Sequence, residues 1–224
     1  MPNLLLQREI DSLNKQILQL GGQVEENLRQ GVQSIRTRNT LQAYAVQDED
    51  QLVDSLEVQV EEECMKLLAL HQPVASDLRY IVSVLKINGD LERIGDLSKS
   101  LGKHAYTFSK KEKLPVPQPL SEMAVLAREM LTKSLNALIE RDVNACQRII
   151  HQDKNVDRLY GEVYDWLMEG MNQNLPKAGA RLNIYLAAKD LERIADHACN
   201  IAEDVIYLVS GEIVRHHDLA LSED

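Results

Sequence analysis

The stretch GDLERIGDLSKSL (residues 89–101) returns one hundred residues later as KDLERIADHACNI (residues 189–201), with the tetrad Leu-Glu-Arg-Ile intact in both copies. A second match lies upstream, where DQLVD (residues 50–54) corresponds to DKNVD (residues 153–157). Each of these segments is followed by a long helical pattern that stops at a proline, Pro73 or Pro176. Self-similarity at this spacing indicates that the chain is a duplicated unit of about one hundred residues.

Apolar residues recur at alternating spacings of three and four along most of the chain, which is typical of long amphipathic helices. Three prolines within residues 115–119 interrupt this pattern and indicate a connection between the two halves. Gly211 follows the last helical pattern and is a plausible residue at which that helix stops. We therefore predict an all-α protein of six long helices, built as two tandem, pseudo-symmetric three-helix bundles, residues 1–113 and 114–224, the second ending in an acidic tail that frays. The six helices are expected to begin near residues 4, 40, 75, 121, 142 and 177.

Composition narrows the classes of partner that the chain can bind. The formal net charge is −10, so the protein repels the phosphate backbone of nucleic acids and anionic lipid headgroups. The short apolar run Leu4-Leu5-Leu6 is too short for a secretory segment or a membrane span. Three cysteines occur without Cys-x-x-Cys spacing, and we expect them to be buried and reduced. We accordingly expect a soluble cytoplasmic protein that neither binds nucleic acid nor inserts into a membrane.

The duplicated segments carry acidic residues four positions apart, and helical geometry places both members of each pair on one face. If the apolar residues face the core, a rotation of about 100° per residue turns these acids outward. Neighbouring antiparallel helices can then bring two pairs together, and clustered carboxylates suit hard or borderline cations such as Mg²⁺, Mn²⁺, Ca²⁺ or iron. We predict two metal sites, formed by Asp50, Asp54, Glu92 and Asp96 in the first half and by Asp153, Asp157, Glu192 and Asp196 in the second, with Glu203 close to Glu192 on the helical wheel.

Plainer interpretations of the same residues remain open. A charge-rich outer face is usually only solvated. Arg93 and Arg193 could neutralise the neighbouring acids through salt bridges, steady metal-binding acids, or contact the acidic surface of a partner. His197 follows Asp196 and is a candidate metal ligand, although it lies about 100° round the helix and has Leu97 as its counterpart in the first repeat.

These motifs resemble the PhoU family, the phosphate-uptake regulators of bacteria and archaea, over essentially the whole chain. SDLRY (residues 76–80) with KINGDLERIGD (residues 86–96) looks like the first signature of the family, and residues 190–207 look like the second. The resemblance implies a six-helix protein with metal clusters at motifs of the form Glu or Asp, three residues, Asp. It also implies a cytoplasmic negative regulator, without a catalytic step, that couples the high-affinity phosphate ABC transporter to its sensor histidine kinase.

We further expect a homodimer that its partners recruit to the inner face of the membrane. The first repeat has Lys103 where the second has Glu203, so the first metal site is expected to be the weaker. An alternative function is that of an iron-binding carboxylate bundle, acting as an oxidoreductase or a storage protein. That chemistry typically uses Glu-x-x-His pairs projecting into the core, and no glutamate here has a histidine three residues later.

Overall fold

The structure, a computed structural model, describes residues 4–37, 40–109, 114–173 and 177–214, with side chains described for 4–37, 51–107, 114–171 and 177–214. These residues form six α-helices and no strand, which confirms the all-α fold class. The helices are α1 (Leu4–Thr37), α2 (Thr40–His71), α3 (Ala75–Ser109), α4 (Gln118–Glu140), α5 (Val143–Gln173) and α6 (Ala178–Ser210).

The helix ends follow the residues that local chemistry favours. Gly211 ends α6 in the left-handed conformation with φ of 78°, and its N–H donates to the carbonyl of Tyr207 at 2.9 Å, as the sequence predicted. Helix α4 begins at Gln118, three residues before the predicted start at Ser121. Pro119 is accepted in that first turn because a backbone N–H there has no partner within the helix.

The helices pack as two groups that also pack on each other. Helices α1, α2 and α3 contact one another, α4, α5 and α6 do the same, and the packing of α3 against α6 is as extensive as any within a group. The buried apolar residues consequently form one continuous core that includes Leu91 and Leu191, both fully buried. The predicted division between residues 113 and 114 falls between α3 and α4, beside a stretch outside the described residues, and stays a prediction.

Two glycines let α1 approach its neighbours closely. A Cβ on Gly21 would lie 2.9 Å from Leu135 Cδ2 of α4, and one on Gly31 would lie 2.8 Å from the backbone oxygen of Ser98 in α3. A side-chain end such as that of Leu135 can move aside, whereas a backbone oxygen within a helix cannot do so cheaply. Gly31 therefore allows the backbones of α1 and α3 to approach each other closely at this point.

We expect Gly31→Ala to destabilise the protein by about 1–3 kcal/mol, because the added methyl group pushes α1 away from α3. Gly22→Ala is the matched control, since a Cβ there would meet no atom within 4 Å. The control is expected to gain up to about 1 kcal/mol from the better helix propensity of alanine. Urea unfolding followed by circular dichroism measures both changes, and equal stability of the two variants would contradict the close approach.

Candidate functional site

The four acids predicted for the second half come together on the antiparallel pair α5 and α6. Asp153 and Glu192 are partly buried, while Asp157 and Asp196 are exposed. Burial, together with the negative charges of Asp157, Asp196 and Glu192, raises the pKa of the Asp153 carboxyl to about 7. These four residues form the second carboxylate cluster, in which the charge of Asp157 disfavours ionisation of the other three carboxyls.

The second carboxylate cluster lacks the partners that would neutralise it fully. Asp153 Oδ1 is buried and has no hydrogen-bond partner among the described residues. Burial, followed by repulsion from neighbouring acids, raises the pKa values of Glu192 and Asp196, although the positive charge of Arg193 opposes this. Carboxylate oxygens are ligands that a hard cation prefers, and the unpartnered Asp153 Oδ1 is free to serve as one.

The ligand types in the second carboxylate cluster suit a metal ion, but the side chains are not arranged around a common point. Within the part of the chain that the structure describes, no three His, Cys, Asp or Glu side chains are arranged so that they could hold a metal ion together. The unpartnered oxygen of Asp153 and the mutual repulsion of the four acids nevertheless provide a donor set that a cation would stabilise. The sequence prediction of a metal site thus stays a prediction.

The first half also has a carboxylate cluster, but its residues are not all the counterparts of those in the second half. Burial raises the pKa of Glu92, and Asp96, Glu57 and Asp54 add to the effect. The side chain of Asp50, predicted as a fourth member, lies outside the described residues. These positions, Asp54, Glu57, Glu92 and Asp96, form the first carboxylate cluster.

Glu57 is a member that the repeat comparison missed. It lies one helical turn after Asp54, and Asn88 of α3 donates to both its backbone oxygen at 3.1 Å and its Oε1 at 3.0 Å. Its counterpart in the second repeat is Tyr160, which donates to the hydroxyl of Tyr185 at 2.6 Å. Glu57 could have been found by looking for any acid one helical turn after each acidic pair, whether or not the other repeat has an acid at the equivalent position.

Arg93 and Arg193 occupy equivalent positions in the two repeats, but they interact differently with the acids beside them. Arg93 bridges its own cluster, with Nε 3.3 Å from Glu92 Oε2 and Nη1 3.5 Å from Asp96 Oδ2. Because the Arg93 side chain is 60% exposed, these salt bridges contribute only about 0–1 kcal/mol. Arg193 is exposed and acts on Glu192 and Asp196 through its charge. The first cluster is therefore partly neutralised by a salt bridge.

A cleft of about 870 Å³ lies between α3 and α6, and two residues of α5 also line it. Arg93 and Arg193 both line it, and so do Asp153 and Asp196 of the second cluster. Glu203, predicted as an extra ligand, is partly buried and lines the same cleft. The fold thus brings both motifs to one depression, which the spacing within each repeat does not reveal.

Two acid–histidine pairs join α3 to α6, one of them in this cleft, and neither was predicted from the sequence. Asp90 Oδ1 lies 2.8 Å from His197 Nδ1 and accepts from Asn200 Nδ2 at 3.2 Å. Its repeat counterpart, Asp190, has Oδ2 3.3 Å from His104 Nε2. His197, weighed above as a metal ligand, is directed by this contact toward Asp90 and positions the two helices.

Fold and site together define a class of protein. It is an all-α tandem repeat in which the last two helices of each half present a cluster of carboxylates, and the last helices of the two halves pack antiparallel. In the described residues no helix has the length and apolar character needed to cross a membrane. This class differs from an ordinary helical bundle because its two repeated motifs, on α3 and α6, pack against each other.

A family model described as the PhoU domain matches the chain twice, at residues 17–105 and 120–205. The chain is 35% identical over 210 residues to the phosphate-specific transport system accessory protein PhoU homolog of Pseudomonas aeruginosa, covering 93% of this chain and 86% of that protein. It is 30% identical over 208 residues to the PhoU protein of Escherichia coli, with the same two coverages, 93% and 86%. The chain belongs to the PhoU family.

Solved structures agree with this assignment. The crystal structure of PhoU from Pseudomonas aeruginosa superposes with a TM-score of 0.88 at 33% identity, covering 92% of this chain and 99% of that one. The phosphate transport system regulatory protein PhoU from Streptococcus pneumoniae gives a TM-score of 0.84 at 27% identity, with coverages of 93% and 99%. The two-bundle fold predicted from the duplicated motifs is confirmed.

Proposed function

We propose that this protein is a negative regulator of phosphate uptake and of the phosphate-starvation response. In this role it acts as a metal-binding adaptor between a phosphate ABC transporter and its sensor histidine kinase. The observation that carries the proposal is similarity along 93% of the chain to proteins named as accessory proteins of the phosphate-specific transport system. The proposal includes no catalytic step by the protein itself.

The metal-binding part of the proposal rests on the second carboxylate cluster. Asp153, Asp157, Glu192 and Asp196 would hold the ion, and Glu203 lies in the adjoining cleft. The ion, whether iron, Mg²⁺, Mn²⁺ or Ca²⁺, supplies positive charge where four acids repel one another. The first cluster would bind less tightly, because Arg93 already bridges two of its acids.

The adaptor part of the proposal rests on the surface around the α3–α6 cleft. Arg93 and Arg193 are exposed there and lie at equivalent positions of the two repeats. Arginine is enriched at protein interfaces because its planar guanidinium binds carboxylates through paired hydrogen bonds. We further propose that the protein is a cytoplasmic homodimer, which its partners recruit to the inner face of the membrane.

Deleting the gene is expected to raise expression of phosphate-starvation genes in phosphate-replete medium, and supplying this chain should restore repression. We expect the double variant Arg93→Ala/Arg193→Ala to restore repression only partly, because both arginines face the cleft proposed to meet the partners. Arg158→Ala is the control, since Arg158 is also exposed and pairs with an acid of its own helix, Glu162. A reporter fused to a starvation-induced promoter measures the effect.

Folding should survive these changes, because exposed salt bridges contribute little to stability. Circular dichroism of each purified variant checks that the helical content is unchanged. If a folded Arg93→Ala/Arg193→Ala protein still repressed fully, the two arginines would have no role in binding the partners. Unchanged starvation-gene expression after deletion would overturn the regulatory role as a whole.

A further inference from the structure

A second concave site lies between α1 and α4, and none of the carboxylate cluster residues lines it. Its volume is about 400 Å³, which falls within the range of small-molecule sites. The lining is mainly apolar and reaches down to α6. The apolar side chains that line it are Val32, Ile35, Val116, Leu120, Ala124, Val125 and Leu191.

Helices α1 and α4 touch each other beside the cavity. They are in contact where Gly21 faces Leu135 and where Thr132 donates a hydrogen bond to Glu25. Toward the carboxyl end of α1 the space between the helices is lined by small or medium side chains, among them Ala124 and Ser121. Leu191 of α6, which is fully buried, lines it as well.

Three arginines line this cavity in a protein whose net charge is −10. Arg29 is fixed in place, since its Nε and Nη2 donate to Glu26 at 2.7 and 2.6 Å and its Nη1 donates to Gln33 at 3.1 Å. Arg36 and Arg128 are exposed, and no carboxylate among the described residues forms an ion pair with either. As far as the described residues show, two positive charges therefore remain available beside an apolar depression.

We propose that this cavity binds a nucleoside phosphate, with the base in the apolar part and the phosphate group between Arg36 and Arg128. Two guanidinium groups match the charge of a phosphate, and their planar forks match its oxygens bidentately. A fatty acid would bring a single charge, and an inorganic ion would leave the apolar part without a ligand group. Gln33 and Ser121 line the cavity and supply hydrogen-bonding groups for the base or the ribose.

This inference does not depend on the proposed regulatory role, because binding is measured on the purified protein. Isothermal titration calorimetry of the full chain is carried out with ADP, GDP, adenosine and inorganic phosphate as separate probes, in buffer containing EDTA. We expect at least one of the two nucleotides to bind at least tenfold more tightly than adenosine or phosphate. The chelator removes binding that a metal ion in the carboxylate clusters would mediate.

Arg36→Ala/Arg128→Ala is expected to weaken nucleotide binding at least tenfold, while Arg8→Ala, on an exposed part of α1 far from the cavity, should leave it unchanged. Ala124→Leu adds volume inside the cavity and should abolish binding of the base. If Ala124→Leu fails to fold, the arginine variants still decide the question, because both side chains are exposed. Nucleotide binding no tighter than phosphate binding, or equal binding by the double variant and the Arg8→Ala control, would overturn the proposal.

Discussion

Replacing Asp153 by asparagine is expected to stabilise the metal-free protein and, at the same time, to weaken its stabilisation by metal. Asp153 carries a negative charge next to Asp157, Glu192 and Asp196, and burial together with these charges raises its pKa from 3.8 to about 7. A shift of this size means that the ionised carboxylate is strongly disfavoured in the folded state. Asparagine keeps the shape and removes the charge, so the gain should be on the order of 1–3 kcal/mol after allowance for solvent screening.

The opposite signs of the two effects make this prediction specific to a metal site. Thermal unfolding is measured at pH 8 in EDTA and again after addition of Mn²⁺ or Fe²⁺. The wild-type protein should gain stability on metal addition, since a ligand that binds only the folded state stabilises it. The Asp153→Asn protein should start from a higher midpoint and gain much less.

Asp165→Asn is the matched control, because Asp165 is an exposed aspartate on the same helix, α5, and does not belong to the cluster. It should change neither the midpoint in EDTA nor the gain on adding metal. A wild-type protein whose stability is the same with and without metal would contradict the metal site. A metal response that persists in full in the Asp153→Asn protein would place the ion elsewhere in the chain.

The second carboxylate cluster could be predicted from the sequence because its formation depends on helical periodicity. The spacing of Asp153 and Asp157 sets their common face on α5, and a short connection forces α6 to run back beside it. Glu192 and Asp196 then reach the same surface. A pattern that repeats twice also removes much of the ambiguity that a single acidic pair would leave.

The α3–α6 contact was not predictable from the same patterns. Asp90 and His197 lie in different halves of the chain, separated by 107 residues, and the periodicity of each helix tells only which face is apolar. Nothing in that spacing states which helix of the other half covers the remaining apolar surface. For this reason the cleft that holds Arg93 and Arg193 together emerged only from the structure.

The proline-rich connection shows a further limit of composition. Residues 115–119 indicated a break between helices, and in the structure α4 begins within this segment, at Gln118. The same segment also contributes to packing, since Leu114 is buried and Val116 packs against the core. Prolines predict where helices stop, but the burial of nearby apolar residues depends on the surfaces that they meet.

Cooperative unfolding of the whole chain is the second large effect that we expect, and paired core substitutions test it. Ile94 and Ile194 occupy equivalent positions in the two repeats, and both side chains are fully buried. Truncating a buried isoleucine to alanine costs about 2–5 kcal/mol, because apolar contacts are lost and a cavity remains. For a chain of this size, such a loss lowers the midpoint of thermal unfolding by about 5–15 °C.

Differential scanning calorimetry distinguishes a single cooperative unit from two independent bundles. Because α3 packs against α6 over their lengths and one core runs through both groups, Ile94→Ala and Ile194→Ala should each shift a single transition by a similar amount. Leu182→Ala is the control, since Leu182 is 46% exposed and its truncation should change stability by less than about 0.5 kcal/mol. Two separate transitions, with each substitution moving only one of them, would show that the halves unfold independently and that the α3–α6 contact contributes little. A single shifted transition would mean that the two repeats unfold as one cooperative unit across the α3–α6 interface, where Asp90 pairs with His197.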